Sequence, residues 1–368
     1  MQLSDFDYVL PPRAIAQQPL QDRAGARMLL LERDSGRMED CFFYALPSRL
    51  RGNELLVVNN AGVIPARLFA HRLGIRAERP WKHSRARREF MASRIEVLLA
   101  RRIDSELWEA LVRPGRKIRT GERLFFEGAD LEAEVVGRGN YGLRQLRFHT
   151  SREGAVCEVI NRIGHVPLPP YIRRPDEAAD REYYQTVFSK EPVAVAAPTA
   201  GLHFTTAILK ELHRKGIVIA EITLEIGLGT FQPIRSESLE GHVMHSEAYE
   251  ISEDAAIAIA SARQQGRPIL AVGTTVVRAL EDAAHKSVAA GRSPEAIATG
   301  RACADIFIRP GHRFALVDQL LTNFHLPRST LLVLVCAFAG RDPVLSAYRH
   351  ALASGYRFYS YGDCMLIR

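Results

Sequence analysis

Apolar residues along this chain follow two rhythms. Between residues 66 and 150, short strand-like runs at 94–99, 107–112, 123–126, 131–136 and 143–148 are separated by Gly, Asp and Asn turns. Closely spaced strands with no helical period between them predict a small antiparallel β-barrel. Further along, the period changes. Ile208, Leu209 and Leu212 give 205–215 a helical spacing, with an N-cap at Thr205 or Thr206 and a stop at Gly216. A strand is expected at 218–224, and a helix from Ser252-Glu253-Asp254 to Gln265-Gly266. A buried strand follows at 268–272, then a helix from Val276 to the neighbourhood of Ala290. This alternation predicts a mainly parallel sheet flanked by helices. The first sixty residues add an extended start at 8–12 and a strand at 27–32 turned by Asp34-Ser35-Gly36. They also add a buried strand at 55–58 ending on Asn59-Asn60. The expected fold class is therefore α/β, a discontinuous main domain at 1–65 and 151–368 carrying an inserted β-barrel at 66–150.

Composition narrows the class without deciding it. With 47% hydrophobic and 25% charged residues the chain has material for large cores and no bias towards disorder. No basic start precedes an early apolar run, so no secretory leader is expected. The longest apolar run, 331–339, is far below the ~20 residues of a membrane span and reads as a buried strand or helix. Five scattered cysteines without a CxxC pair argue against disulfides or a zinc site and fit a reducing cytoplasm. Net charge is +7, and much of it is local: Arg72, Arg76, Arg79, Lys82, Arg85, Arg87, Arg88 and Arg94 fall in the basic loop 72–94, with Trp81 among them. Arginines interleaved with an aromatic suit phosphate contact and base stacking. A solvated loop is the plainer alternative.

Candidate chemistry lies in segments that have neither period. Residues 195–204 pack small residues, Pro198, Gly201, Thr199 and His203 into ten positions. Alone, such a segment is better explained by a tight buried connection with a satisfied histidine. Gly227-Leu228-Gly229-Thr230-Phe231, Gly273-Thr274-Thr275 with Arg278 one turn on, and Thr322-Asn323-Phe324-His325 have the same character. In open α/β sheets ligands collect at the carboxyl ends of strands, where such loops converge. A Gly-Thr-Thr helix start can offer N–H groups to an anion, but taken singly it reads as a plain cap. His242, His245 and Glu247 suit proton transfer better than metal binding, since no further ligand lies at matched spacing, and an exposed polar loop explains them about as well. The common nucleotide fingerprints GxxxxGK[ST] and GxGxxG are absent.

Taken in order, these segments resemble the S-adenosylmethionine:tRNA ribosyltransferase-isomerase family of the queuosine pathway. The matching residues are Asn59-Asn60 with Val63-Ile64-Pro65-Ala66-Arg67, Pro167-Leu168-Pro169-Pro170-Tyr171-Ile172, and Tyr183-Tyr184-Gln185-Thr186-Val187-Phe188-Ser189. They continue through 196–204, 227–231, Met244-His245-Ser246-Glu247, 272–275 and 322–327, and end on Tyr356-Arg357-Phe358 and Tyr361-Gly362-Asp363. The resemblance implies transfer and isomerisation of the ribosyl group of S-adenosylmethionine, acting as cosubstrate. The acceptor it implies is a 7-aminomethyl-7-deazaguanine base at the wobble position of the tRNA anticodon. Epoxyqueuosine in tRNA is the product, with adenine and methionine released. It further implies an α/β domain with an inserted barrel. No metal, no membrane association, a cytoplasmic location and a monomer are expected besides. The sulfonium acidifies the neighbouring C5′–H, so a base must stand near it. His203, His245, Glu247 and His325 are the candidate acids and bases. Asn59, Asn60, Arg67, Pro198, Thr199, Gly201, Gly227, Gly229, Thr230, Phe231, Gly273, Thr274, Thr275, Arg278 and Asn323 are the candidate binding positions. Arg67 and Arg278 suit a carboxylate or phosphate, and Phe204, Phe231 and Phe324 a stacked base, although a phenylalanine is more often simply core.

Five positions depart from the family pattern. Ala61-Gly62 stand where Thr-Arg is usual, Glu225 for a histidine, Val276 for a serine and Ala304 for a threonine. These departures keep a second reading open, a divergent paralogue of reduced or altered activity that binds RNA through its basic insert. An enzyme acting on a free small nucleoside is a third.

Overall fold

The computed structural model of the chain describes residues 1–75, 94–115, 118–139, 142–152, 154–227, 237–242, 244 and 246–368. They fold as two compact units. The first comprises Met1–Gly62, Pro169–Pro175 and Glu182–Arg368, and the second Val63–Leu168 and Asp176–Arg181.

In the first unit nine strands form one sheet. Their order is Gly300–Ala304, Glu247–Ile251, Val218–Leu224, Leu55–Asn59, Ile269–Val272, Gln319–Asn323, Cys364–Ile367, Arg27–Leu31 and Met38–Phe42. Leu55, Val57, Ile269 and Ala271 face one core, while Leu56, Val58, Leu270 and Val272 face the other. Burial on both faces is why these strands read as unbroken apolar runs. Helices Glu253–Gln264 and Thr274–Ala289 cover the first face through Ile259, Ala262, Val276 and Leu280. Helix Thr206–Arg214 covers the second through Ile208 and Leu212. Thr205 and Ser252 cap their helices by accepting from the N–H groups of Ile208 and Ala255, at 3.3 and 3.2 Å.

The sheet is mixed. Parallel pairing joins the strands at 218–224, 55–59, 269–272 and 319–323, and again those at 364–367 and 27–31. The other four pairings are antiparallel. The Arg27–Leu31 and Met38–Phe42 strands show why: a short turn joins them, and a parallel return needs a long crossover. The apolar run at 331–339 is a buried helix, Thr330–Ala339, capped by Ser329. No single helix among the described residues is long and apolar enough to cross a membrane.

The second unit is a closed antiparallel barrel of six strands. Its order is Arg144–His149, Leu107–Arg113, Ile95–Arg102, Arg67–Ile75, Glu122–Phe126 and Glu132–Arg138. Every other residue points inward: Ile95, Val97 and Leu99 on one strand, Trp108, Ala110 and Val112 on the next. Closure removes the exposed edges that short strands would otherwise leave. Two charges share the interior. Burial lowers the pKa of the Arg72 guanidinium, and the Glu122 carboxylate opposes the shift. Arg72 is thus an interior residue of the barrel rather than part of a solvated basic loop. Arg94 lies over the Phe69 ring at 3.5 Å. The rest of the basic stretch, Arg76, Arg79, Lys82, Arg85, Arg87 and Arg88 with Trp81, lies outside the described residues.

Candidate functional site

The aperiodic segments of the first unit meet at one cavity of about 700 Å³. Gly273, Thr274 and Thr275, which follow the Ile269–Val272 strand, form one wall; Thr322, Asn323, Phe324 and His325, at the end of the Gln319–Asn323 strand, form another. Ala196, Ala197, Pro198, Thr199 and Ala200 supply a third, lined by small side chains that let a flat ligand approach the backbone. Remote parts of the chain complete it: Pro12, Ile15 and Gln17, Pro170, Tyr171 and Arg173, and Tyr359 and Ser360.

Local conformation explains the placement. Gly273 has φ +100°, closed to most side chains, and donates its N–H to the Leu321 carbonyl at 2.8 Å before the helix begins at Thr274. Gln17 fixes the 171–173 wall as a neighbouring strand would: its Oε1 accepts from the Arg173 N–H at 2.8 Å, and its Nε2 donates to the Tyr171 carbonyl at 3.0 Å. The two non-glycine residues with positive φ among the described residues, Arg328 at 58° and Tyr359 at 77°, both line this cavity. Strained backbone of this kind costs on the order of 1–3 kcal/mol and collects at functional sites.

His325 is the titratable group best placed in the lining. Its Nε2 lies 2.8 Å from Thr322 Oγ1, and the Thr322 hydroxyl donates to the Asn323 carbonyl at 3.2 Å. With that hydroxyl hydrogen engaged, Nε2 carries the ring proton and Nδ1 keeps its lone pair, an assignment made from the network. Nδ1 has no hydrogen-bond partner among the described residues. The backbone of His325 is held from both sides: its N–H donates to Tyr348 Oη at 3.0 Å, and its carbonyl accepts from Tyr8 Oη at 2.5 Å. Burial pushes its pKa down to about 3.

His203 is buried but does not line the cavity; it packs on Phe43 and lies beside Asn323. Burial pushes its pKa down to about 4, partly opposed by the Asn323 side chain. Nε2 of His203 and Oδ1 of Asn323 are both buried short of a fully formed hydrogen bond, while Asn323 Nδ2 donates to the Tyr359 carbonyl at 3.0 Å.

Both rings are neutral when folded and gain protons more easily when unfolded. Their contribution to stability is therefore complete above the unfolded value near 6.5 and is lost as pH falls from there towards 3. Unfolding free energies measured in denaturant should drop below pH 6.5 by about 1 kcal/mol per pH unit for each ring. Asparagine at His203 should remove about half of that slope. An unchanged slope would mean that His203 is not held neutral.

Several of the other predicted positions have structural partners among the described residues. Asn59 Oδ1 accepts from the N–H groups of Ala61 and Leu224 at 2.9 and 3.0 Å, so this amide pins the ends of two strands. Asn60 Oδ1 accepts from Thr223 Oγ1 at 2.8 Å. Arg278 and Glu247 form a buried ion pair at 2.5 Å, and Arg278 also donates to the Ala304 carbonyl. Gly201 lies against Thr186, and Arg67, in the barrel unit, pairs with Glu96 and donates to the Leu168 carbonyl at 3.0 Å. Gly227 does not line the cavity. His245, Gly229, Thr230 and Phe231 lie outside the described residues. Sequence reasoning missed Gln17, Arg173, Arg328 and Tyr359. Arg173 and Arg328 each stand next to a quoted motif, which was the available signal. Among the described residues no group of three or more His, Cys, Asp or Glu side chains is arranged to hold a metal.

The five departures also have local explanations. Ala61, Val276 and Ala304 are core residues, Glu225 pairs with Arg301, and a Cβ on Gly62 would stand 2.4 Å from Ser189 Oγ. None of the five lines the cavity.

The family model described as "Queuosine biosynthesis protein" matches residues 3–367. The chain belongs to that family. Among queuosine biosynthesis proteins, it is 50% identical over 369 residues to the S-adenosylmethionine:tRNA ribosyltransferase-isomerase of Solibacter usitatus, covering 100% of both chains. It is 48% identical over 367 residues to the protein of the same name from Moorella thermoacetica, again over 100% of both. The crystal structure of the S-adenosylmethionine tRNA ribosyltransferase of Thermotoga maritima matches with a TM-score of 0.52 at 35% identity, over 99% of this chain and 100% of that one.

Proposed function

We propose that this protein is an S-adenosylmethionine:tRNA ribosyltransferase-isomerase. It moves the ribosyl group of S-adenosylmethionine onto the 7-aminomethyl-7-deazaguanine base at the tRNA wobble position, forming epoxyqueuosine and releasing adenine and methionine. The observation that carries the reading is the convergence of the 196–200, 273–275 and 322–325 motif loops on one cavity, in a chain that matches the family from end to end. Nearly all of the chain's excess of basic residues falls in the barrel unit, which suits it to attract tRNA. The divergent-paralogue reading has no observation in its favour.

His325 is the base in this reading. Its Nδ1 takes the C5′ proton beside the sulfonium, while Thr322 holds the ring through Nε2. No Asp or Glu lines the cavity among the described residues, so the sulfonium charge stays uncompensated and its neighbouring C–H more acidic. Proton transfer turns the sulfonium into a neutral ylide and His325 into a cation, leaving the net charge of the pocket unchanged. Burial, which disfavours an imidazolium formed by adding net charge, therefore opposes this step much less. Thr274, Thr275, Thr199 and Asn323 are the binding positions.

Incubation with S-adenosylmethionine and tRNA carrying the aminomethyl deazaguanine should release adenine and methionine only when that tRNA is present. Binding of the tRNA without adenine release would sink the reading. Adenine release driven by a free base or nucleoside would replace it with the small-nucleoside activity.

A further inference from the structure

The cavity is chemically two-sided. Thr274, Thr275, Asn323 and His325 are buried, whereas Arg173 and Arg328 are exposed. The positive φ of Arg328 is held by the N-terminal segment, because its N–H donates to the Phe6 carbonyl at 3.0 Å. Its Nε donates to Asp7 Oδ2 at 2.8 Å, and Nη2 lies 2.6 Å from the same oxygen. One edge of the guanidinium is thereby fixed and Nη1 is left for a ligand. Arg173 has its backbone fixed by Gln17, and its guanidinium makes no hydrogen bond or ion pair among the described residues.

We propose that Arg328, assisted by Arg173, holds the carboxylate at the amino-acid end of S-adenosylmethionine. The inference rests on the cosubstrate reading above and adds the orientation of that cosubstrate. The carboxylate is the ligand's only anionic group, while its ammonium and sulfonium are repelled by guanidinium. With no acidic side chain in the described lining to reverse the preference, the amino-acid end faces the exposed arginines. The adenosyl end then occupies the buried side, where C5′ meets His325. A guanidinium already oriented by Asp7 loses little freedom on binding and distinguishes a carboxylate from its absence.

The test compares S-adenosylmethionine with its decarboxylated analogue in tRNA-dependent adenine release, using Arg328→Gly, Arg173→Ala and wild type. Glycine removes the guanidinium and accepts the positive φ, so the variant keeps its backbone. Wild type should favour the carboxylate-bearing ligand in KM by roughly 10–100-fold, the usual range for a charge-assisted hydrogen bond. Arg328→Gly should lose most of that preference by raising the KM of S-adenosylmethionine alone. The kcat, and the KM of the decarboxylated ligand, should stay within about threefold. Arg173→Ala should lose a smaller part. Equal weakening of both ligands overturns the proposal. So does a raised KM for tRNA with a salt slope shallower by about one phosphate, which would make Arg328 a contact to tRNA. Calorimetry with S-adenosylhomocysteine separates the two levels of the argument: no binding to wild type sinks the cosubstrate reading itself. Binding with no effect of Arg328→Gly sinks only the carboxylate assignment.

Discussion

Asparagine in place of His325 should lower kcat/KM for adenine release by roughly 100- to 10,000-fold, the range expected when a positioned general base is lost. Affinity for S-adenosylhomocysteine should change by no more than about threefold, because the lost interaction belongs to the proton-transfer step. Among the described sequence candidates, His325 is the one proposed here as the base. It lines the cavity, its Nε2 is engaged by Thr322 and its backbone is held by Tyr8 and Tyr348, so the ring has one orientation and one available nitrogen. His203 stands behind Asn323, and Glu247 is committed to Arg278. Thr322→Val provides the graded control. It keeps the shape and removes the hydroxyl that orients the ring, so a loss of about tenfold is expected, smaller than for His325 itself. Activity of His325→Asn above about a tenth of wild type would refute the assignment and turn attention to His245. Competence as a base depends on position and orientation, which neither residue type nor spacing specifies.

That dependence explains which parts of the molecule could be read in the sequence. The barrel was legible because its strands are half-buried and alternate, as at 95–102 and 107–113. The central strands were legible for the opposite reason, being buried on both faces and so continuously apolar. The antiparallel flanks of the sheet were not, because pairing direction depends on where a strand docks and leaves no mark on its own residues. At the site, the loops at 196–200, 273–275 and 322–325 stood out as small and polar segments without a period, and they line the cavity. Asn59 looked the same from sequence as Asn323. One amide holds two strand ends and the other faces the cavity, and only the fold separates these uses. Arg173 and Tyr359 were missed because each is brought to the cavity from a segment far away in the chain, by Gln17 in one case and by Asn323 in the other.

Methionine in place of Arg278 should destabilise the first unit by about 3–5 kcal/mol, because it breaks a buried ion pair by removing one of its charges. Both side chains are almost fully enclosed, at 5% and 8% exposure, and the arginine also satisfies the Ala304 carbonyl. Together these contacts join the Glu247–Ile251 and Gly300–Ala304 strands to the helix Thr274–Ala289, whose first residues line the cavity. Removing both charges as Arg278→Met with Glu247→Leu should restore most of the loss, since burying an ion pair is itself costly and apolar residues of similar volume often replace one without penalty. Denaturant unfolding of the two single variants and the double variant measures the coupling directly. Activity decides what the pair is for. A folded double variant that still releases adenine within about tenfold of wild type identifies a structural clamp. Glu247→Gln tells the two roles apart most sharply, because it keeps the shape and an acceptor oxygen while removing the charge. If that variant melts as wild type does and yet does not turn over, the charge of Glu247 positions the cavity-lining start of the helix Thr274–Ala289 rather than serving stability alone.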